Sequence, residues 1–250
     1  MPSQTRSVET LDREELVEFV MEAFHRTLIH YGLWFREAEY NLGLKKTVRI
    51  EDRVFKTGFK VQMKRLSKLL GFEITDSGLP VSLLEMDRDK LLDLARGQSV
   101  NWLAGDGVWF QAVEGEYDMT TAKRLNDTCW TRYSPYEAER IKSFLNLGES
   151  SGLEGLKEAL GFRTYAMVNK QSIHDTEDGG FVFQMNDCRV QSARKRRGLP
   201  DYPCSSVGNV EYPYFAEAID PRIKTECVGC PPGEHPEEWY CAWKFVLREE

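Results

Sequence analysis

The stretch Gly32-Leu33-Trp34-Phe35-Arg36-Glu37-Ala38-Glu39 returns 75 residues later as Gly107-Val108-Trp109-Phe110-Gln111-Ala112-Val113-Glu114. In the same gapless register Arg49 falls on Arg124, Asp52 on Asp127, Arg65 on Arg140 and Leu70 on Leu145. Residues 32–72 and 107–147 thus share eight identities over 41 positions, with conservative matches such as Phe55 with Trp130 and Leu66 with Ile141. A self-match at one fixed offset reads as a duplicated supersecondary unit. Each unit predicts two helices. Phe55, Phe59, Met63, Leu66 and Leu70 follow the three-to-four spacing of one helical face, and Gly71 suits a C-cap. In the second unit, Ser134-Pro135 reads as a break, with a fresh start at Tyr136-Glu137. A leading helix, 13–30, carries Leu16, Phe19, Val20, Phe24 and Leu28 on one side. Trp34 and Trp109 are expected to occupy equivalent, buried positions. The paired charges Glu39/Glu114, Arg49/Arg124, Asp52/Asp127 and Arg65/Arg140 leave two readings: ion pairs that fix helix packing, or a site on a pseudo-twofold axis.

Outward from the repeat, the composition changes at Gly148-Glu149-Ser150-Ser151-Gly152, a turn-rich stretch that suits a boundary. The expected organisation is a helical region over 1–150 and a cysteine-rich α+β ligand-binding domain over 151–250. In the second half Tyr165–Val168 and Phe181–Met185, around the turn 175–180, read as a hairpin. A basic helix follows over 189–197, stopped by Gly198 and Pro200, then a short helix over 214–219. The chain closes with an extended segment, 223–227, and the alternating run Trp239, Cys241, Trp243, Phe245. The fold class is therefore α+β, a duplicated helical half followed by a small antiparallel sheet.

The whole chain has 250 residues, 41% of them hydrophobic and 12% aromatic, which supports a folded core. A net charge of −7 disfavours a nucleic-acid partner. No apolar window approaches the ~20 residues of a membrane span, and Met1–Arg6 opens no secretory signal. The chain reads as cytoplasmic, where cysteines are more often thiols or metal ligands than disulfides. Cys129 reads as a small core residue. The other five, Cys188, Cys204, Cys227, Cys230 and Cys241, fall in the last 63 positions. Cys227-Val-Gly-Cys230 has the two-residue spacing at which two thiolates bind one ion. Sulfur-rich tetrahedral coordination points to zinc, or alternatively to an iron–sulfur cluster. Two other readings stand beside metal: thiol redox chemistry at Cys227/Cys230, and plain buried sulfur. A fifth thiol is one more than a tetrahedral site uses. Arg189 and Arg194, within the basic run that ends Arg194-Lys195-Arg196-Arg197, are candidates to bind an anionic ligand. The same run also reads as a solvated helix face. Glu211 and Asp187 are candidate proton-moving carboxylates, and His235 is an optional metal ligand.

The segments Asn186-Asp187-Cys188-Arg189, Gly198-Leu199-Pro200, Glu211-Tyr212, Ile219-Asp220-Pro221-Arg222-Ile223, Cys227-x-x-Cys230-Pro231-Pro232 and Cys241-x-Trp243-x-Phe245 carry a resemblance. Over most of its length the chain resembles an uncharacterised family of cytosolic proteins from anaerobic bacteria and archaea. Over its last ~70 residues it is similar to the L-2-amino-thiazoline-4-carboxylate hydrolases and, more distantly, to vinyl-reductase-type small-molecule-binding domains. The resemblance implies a fold and a small ligand. The Cys227/Cys230 pair departs from the hydrolase pattern. The expected function is a metal-centred small-molecule-binding protein, hydrolase-like in its catalytic version; the alternatives are a sensor or interaction module with a structural metal and a thiol redox protein. The duplicated helices suit a homodimer interface.

Overall fold

In a computed structural model, residues 6–198 and 201–248 are described. The start Met1–Thr5 and the predicted stop at Pro200 lie outside them. Four long helices form the duplicated region: α1 (Arg13–Leu42), α2 (Leu44–Leu70), α4 (Arg88–Glu116) and α5 (Met119–Leu145), with a short α3 (Val81–Leu84) between the pairs. The periodicity reading holds at the level of boundaries. Both α2 and α5 have 27 residues, and they start 75 positions apart. α1 and α4 also start 75 apart.

The two joints differ in chemistry. Gly43 joins α1 to α2 at φ +81°, a conformation that favours glycine. Asp118, its counterpart, caps α5 by accepting a hydrogen bond from the Thr121 amide at 2.6 Å. Two expectations are corrected. Pro135 lies inside α5 rather than breaking it. A proline removes one backbone bond, and the neighbouring turns keep their packing through buried Trp130, Ala138 and Ile141. Trp34 and Trp109 are equivalent but exposed, at 65% and 69%. None of the α1 residues is buried, and on α4 only Ser99 is.

Contacts cluster into two compact units, 1–62 and 63–250, which divide within α2. Among the described residues of the first unit only Thr47 and Val48 are buried. The second unit holds the core. After α5 come α6 (Gly152–Leu160), β1 (Lys170–Asp175), β2 (Phe181–Asp187), α7 (Arg189–Arg196), α8 (Ser205–Ile219), β3 (Ile223–Gly229) and β4 (Cys241–Leu247). The four strands form an antiparallel sheet in the order β1-β2-β4-β3. No helix among the described residues is long and apolar enough to cross a membrane.

Three further expectations shift. Residues 166–168 form a 3-10 turn, and the first strand starts at Lys170. Tyr165 is spent on a buried hydrogen-bond network instead of a sheet ladder. The helix expected over 214–219 runs from Ser205, with Pro213 inside it. Cys129 is exposed on α5 rather than in the core.

The central strands β2 and β4 carry the inward row. Phe181 pairs with Phe245, Phe183 with Trp243, and Met185 with Cys241. All but Cys241 are nearly fully buried. Cross-strand aromatic pairs of this kind stabilise a sheet beyond area burial. Helix α8 packs on this row, with Tyr212 stacked on Trp243 at 4.8 Å. The approach is close because residue 208 has no side chain. A Cβ at Gly208 would stand 2.4 Å from a Trp243 ring carbon. Gly208→Ala gains up to ~1 kcal/mol of helix propensity but must push α8 off the sheet, an overpacking cost of about 1–3 kcal/mol. Net destabilisation is expected in urea unfolding; an unchanged midpoint would show that α8 does not sit this close.

Candidate functional site

The floor of the site is a buried charge network assembled from three elements. Arg163, in the connection after α6, is fully buried. Its Nε donates to Glu137 Oε2 on α5 at 2.9 Å, and its Nη1 donates to Glu211 Oε1 on α8 at 2.7 Å. Glu137 Oε1 also accepts from the Thr164 amide and hydroxyl at 2.6 and 2.7 Å. The Tyr165 hydroxyl donates to Glu211 at 2.8 Å and lies 3.3 Å from the Tyr212 hydroxyl. The rings of Tyr165 and Phe215 lie 4.5 Å from the Arg163 guanidinium carbon, and Trp130 and Tyr212 lie 5.6 Å from it. One guanidinium thus faces two carboxylates in an apolar surround. Burial raises the Glu211 carboxyl above its ordinary range, while Arg163 and Tyr165 pull the other way. Glu211 accepts from both Arg163 and Tyr165 at the bottom of this network.

Above this floor opens a cavity of about 430 Å³. Its walls are α4 (Leu103, Gly107, Phe110), the start of α7 and the start of α8, with Trp130 and Tyr202 supplying aromatic surface. Tyr202 is locked in place. Its amide donates to Gln191 Oε1 at 2.7 Å, and Gln191 Nε2 donates back to the Tyr202 carbonyl at 2.8 Å. Arg189, Arg194 and Arg197 line the α7 side. Asp106 and Glu114 line the α4 side, and burial raises Asp106.

Four of the five clustered cysteines reach this cavity: Cys188, Cys204, Cys230 and Cys241. Topology explains why. Cys188 follows the end of β2 at the position just before α7, Cys204 stands just before α8, Cys230 follows β3, and Cys241 opens β4. In an antiparallel sheet, the end of β2, the end of β3 and the start of β4 meet at one edge, and α8 begins over it. Burial pushes the Cys188 thiol up to about 11 and raises Cys204 strongly, with the neighbouring sulfurs Cys188 and Cys241 adding to the latter. Cys241 is raised first by its hydrogen bond with Cys230, then by burial. The Gln191 side-chain amide lies 3.2 Å from the Cys204 sulfur. Cys227 is exposed and is not among the lining residues. Among the described residues, no group of three or more His, Cys, Asp and Glu side chains is arranged to hold a metal ion.

Other sequence candidates sit elsewhere. Asp187 accepts from the Ser192 hydroxyl at 2.6 Å, so it ties the first turn of α7 and does not line the cavity. His235 makes hydrogen bonds of 2.9 Å with the Pro236 carbonyl and 3.1 Å with Asp201. Of the paired charges, Asp52 binds Lys56 and Asp127 binds Lys123, each one turn away on its own helix. Sequence reading missed Arg163, Glu137 and Tyr165. The available signal was Glu137, an acid in helical phase with Trp130, Ser134 and Ile141, which face the core.

Two outcomes are expected. A carboxyl raised in the fold stabilises it fully below the unfolded value of ~4.3 and loses that contribution as pH rises through the folded value. The stability advantage of wild type over Glu211→Gln should therefore shrink from pH 4 towards pH 7; a difference independent of pH refutes the raised Glu211 carboxyl. With a thiol reagent, Cys129 and Cys227 should react in a fast phase and the four cavity cysteines in a slow one. Single Ser variants assign the phases, and fast reaction at Cys204 or Cys241 contradicts the placement.

A family model described as a family of unknown function, DUF6125, matches residues 9–87 and 83–247. No curated protein and no solved structure matches the chain. The family match spans both compact units, sheet and cysteines included, and on that coverage the chain belongs to the DUF6125 family.

Proposed function

We propose that this protein binds a small molecule with an apolar, aromatic-sized body and an anionic group in the cysteine-lined cavity. The observation that carries the reading is the composition of the cavity walls. About 430 Å³ suits a small ligand. Phe110, Trp130 and Tyr202 offer ring surface, and Arg189, Arg194 and Arg197 offer cationic groups along one wall. Asp106 and Glu114 opposite them suit a hydrogen-bond donor at the ligand's other end. The resemblance of the last ~70 residues to the thiazoline-carboxylate hydrolases, at Cys188, Gly198-x-Pro200, Glu211 and Cys241-x-x-x-Phe245, suggests the same ligand scale. In a catalytic version Glu211, buried beneath the cavity beside Tyr165, moves the proton, and the activity is hydrolase-like.

A second reading adds zinc, or an iron–sulfur cluster, held by Cys188, Cys204, Cys230 and Cys241, with Cys227 as the spare thiol. It is favoured by one observation: these four sulfurs share a cavity while Cys227 does not. As placed, they are not gathered around one point, so no chemical step is derived through a metal. A thiol redox reading at Cys227/Cys230 has less support, because one partner is exposed and the other buried.

The ligand reading is tested with two fluorescent probes of similar ring size. Anilinonaphthalene sulfonate carries an anion, and N-phenyl-1-naphthylamine does not. Both should bind the full-length protein at one site, and Arg189→Met/Arg194→Met should weaken the sulfonate at least tenfold, ~1.4 kcal/mol, while leaving the neutral probe within twofold. Equal loss of both, or no saturable binding of either, rejects the reading. Metal content of protein purified without oxygen, compared with a Cys204→Ser variant, decides the second reading separately.

A further inference from the structure

We infer that the first compact unit is a homodimerisation element, in which α1 of one chain packs against the α2 segment of a second copy. The unit lacks what a folded element of its size requires. Helix α1 has 30 residues and not one is buried. Its apolar positions Leu16, Val20, Phe24, Leu28, Tyr31 and Phe35 recur at spacings of three and four, the pattern of a core-facing stripe. Phe24 is 50% exposed and Leu28 70%. A unit of about 60 residues must bury most of its apolar surface to offset chain entropy. Among the described residues of the unit only Thr47 and Val48 are buried.

The internal duplication shows what such a face does when it is covered. Phe55 and Phe59 in α2 stand in the register of Trp130 and Ser134 in α5. In α5 those positions are buried in the shared core. In α2 the same face carries two stacked phenylalanines, 5.8 Å apart, with Phe55 48% exposed.

Charge identifies the occupant. α1 carries six acidic and three basic residues, while α2 carries nine basic and two acidic. A twofold-related copy brings each acidic α1 onto the partner's basic α2, and does so twice. An isologous interface requires this self-complementarity. A foreign partner would have to present both an acidic and a basic helix in the same arrangement.

Sedimentation equilibrium of the full-length protein tests the inference. The wild type should sediment at twice its 28.9 kDa chain mass. Phe24→Glu/Leu28→Glu should weaken the dimer at least tenfold and leave the slow thiol phase of the second unit unchanged. Charge swapping supplies an independent variant pair. Glu18→Lys/Glu37→Lys and Lys45→Glu/Lys60→Glu should each be monomeric alone, and should pair with each other when mixed. A monomeric wild type at tens of micromolar overturns the proposal, as does a dimer that survives Phe24→Glu/Leu28→Glu. A mixture of the swapped variants that stays monomeric also overturns it.

Discussion

One guanidinium organises the second unit. Arg163 is buried and held between Glu137 on α5 and Glu211 on α8, so three separate chain segments meet at one charge. Two carboxylates against one cation in an apolar surround leave an excess negative charge, and burial raises the Glu211 carboxyl. Removing one partner of a buried ion pair costs ~3–5 kcal/mol, because it strands the other charge. That asymmetry makes the triad a constraint on every neighbouring element. It fixes how α5 and α8 face each other, and it sets Tyr165 and Tyr212 under the cavity. The Arg163 Nη2 atom is buried without a hydrogen-bond partner among the described residues, so it adds no further tie.

The cavity follows from that floor and from strand direction. An antiparallel sheet brings alternate strand ends to the same edge, so cysteines far apart in the chain arrive together. Cys188 and Cys241 lie 53 positions apart in the chain, yet both line one cavity. Cys227 and Cys230, three positions apart, do not share it. The bulge between Cys227 and Gly229 belongs to the same stretch of β3. Sequence spacing alone had favoured the Cys227/Cys230 pair as the centre of the chemistry. Strand topology instead lines one cavity with Cys188, Cys204, Cys230 and Cys241.

The duplicated helices illustrate how one pattern yields two environments. The 75-residue register sets helix starts to the residue in both copies. It does not set burial. In the second copy, α5 finds α8 and a sheet, and its face becomes core. In the first, Phe55 on the same face is 48% exposed. The joints between the helices were also copied in position and not in chemistry, with a positive-φ glycine in one and a side-chain cap in the other.

The α+β class, the helical duplication, the basic helix and the last two strands were legible from residue order, because periodicity and repetition are local properties that survive without partners. The candidate site was legible only as residue types: five clustered cysteines, two arginines and Glu211. Which of them meet was decided by tertiary structure, because strand order and helix docking join positions that no local pattern relates. Pro135 shows the same limit from the other side, since it reads as a breaker and sits within a helix held by packing. Residue order determined which elements this protein builds. Only the tertiary structure decided that Trp34 and Trp109 lie outside, that Arg163 lies at the centre, and that four sulfurs share one cavity, because burial depends on what a face is packed against.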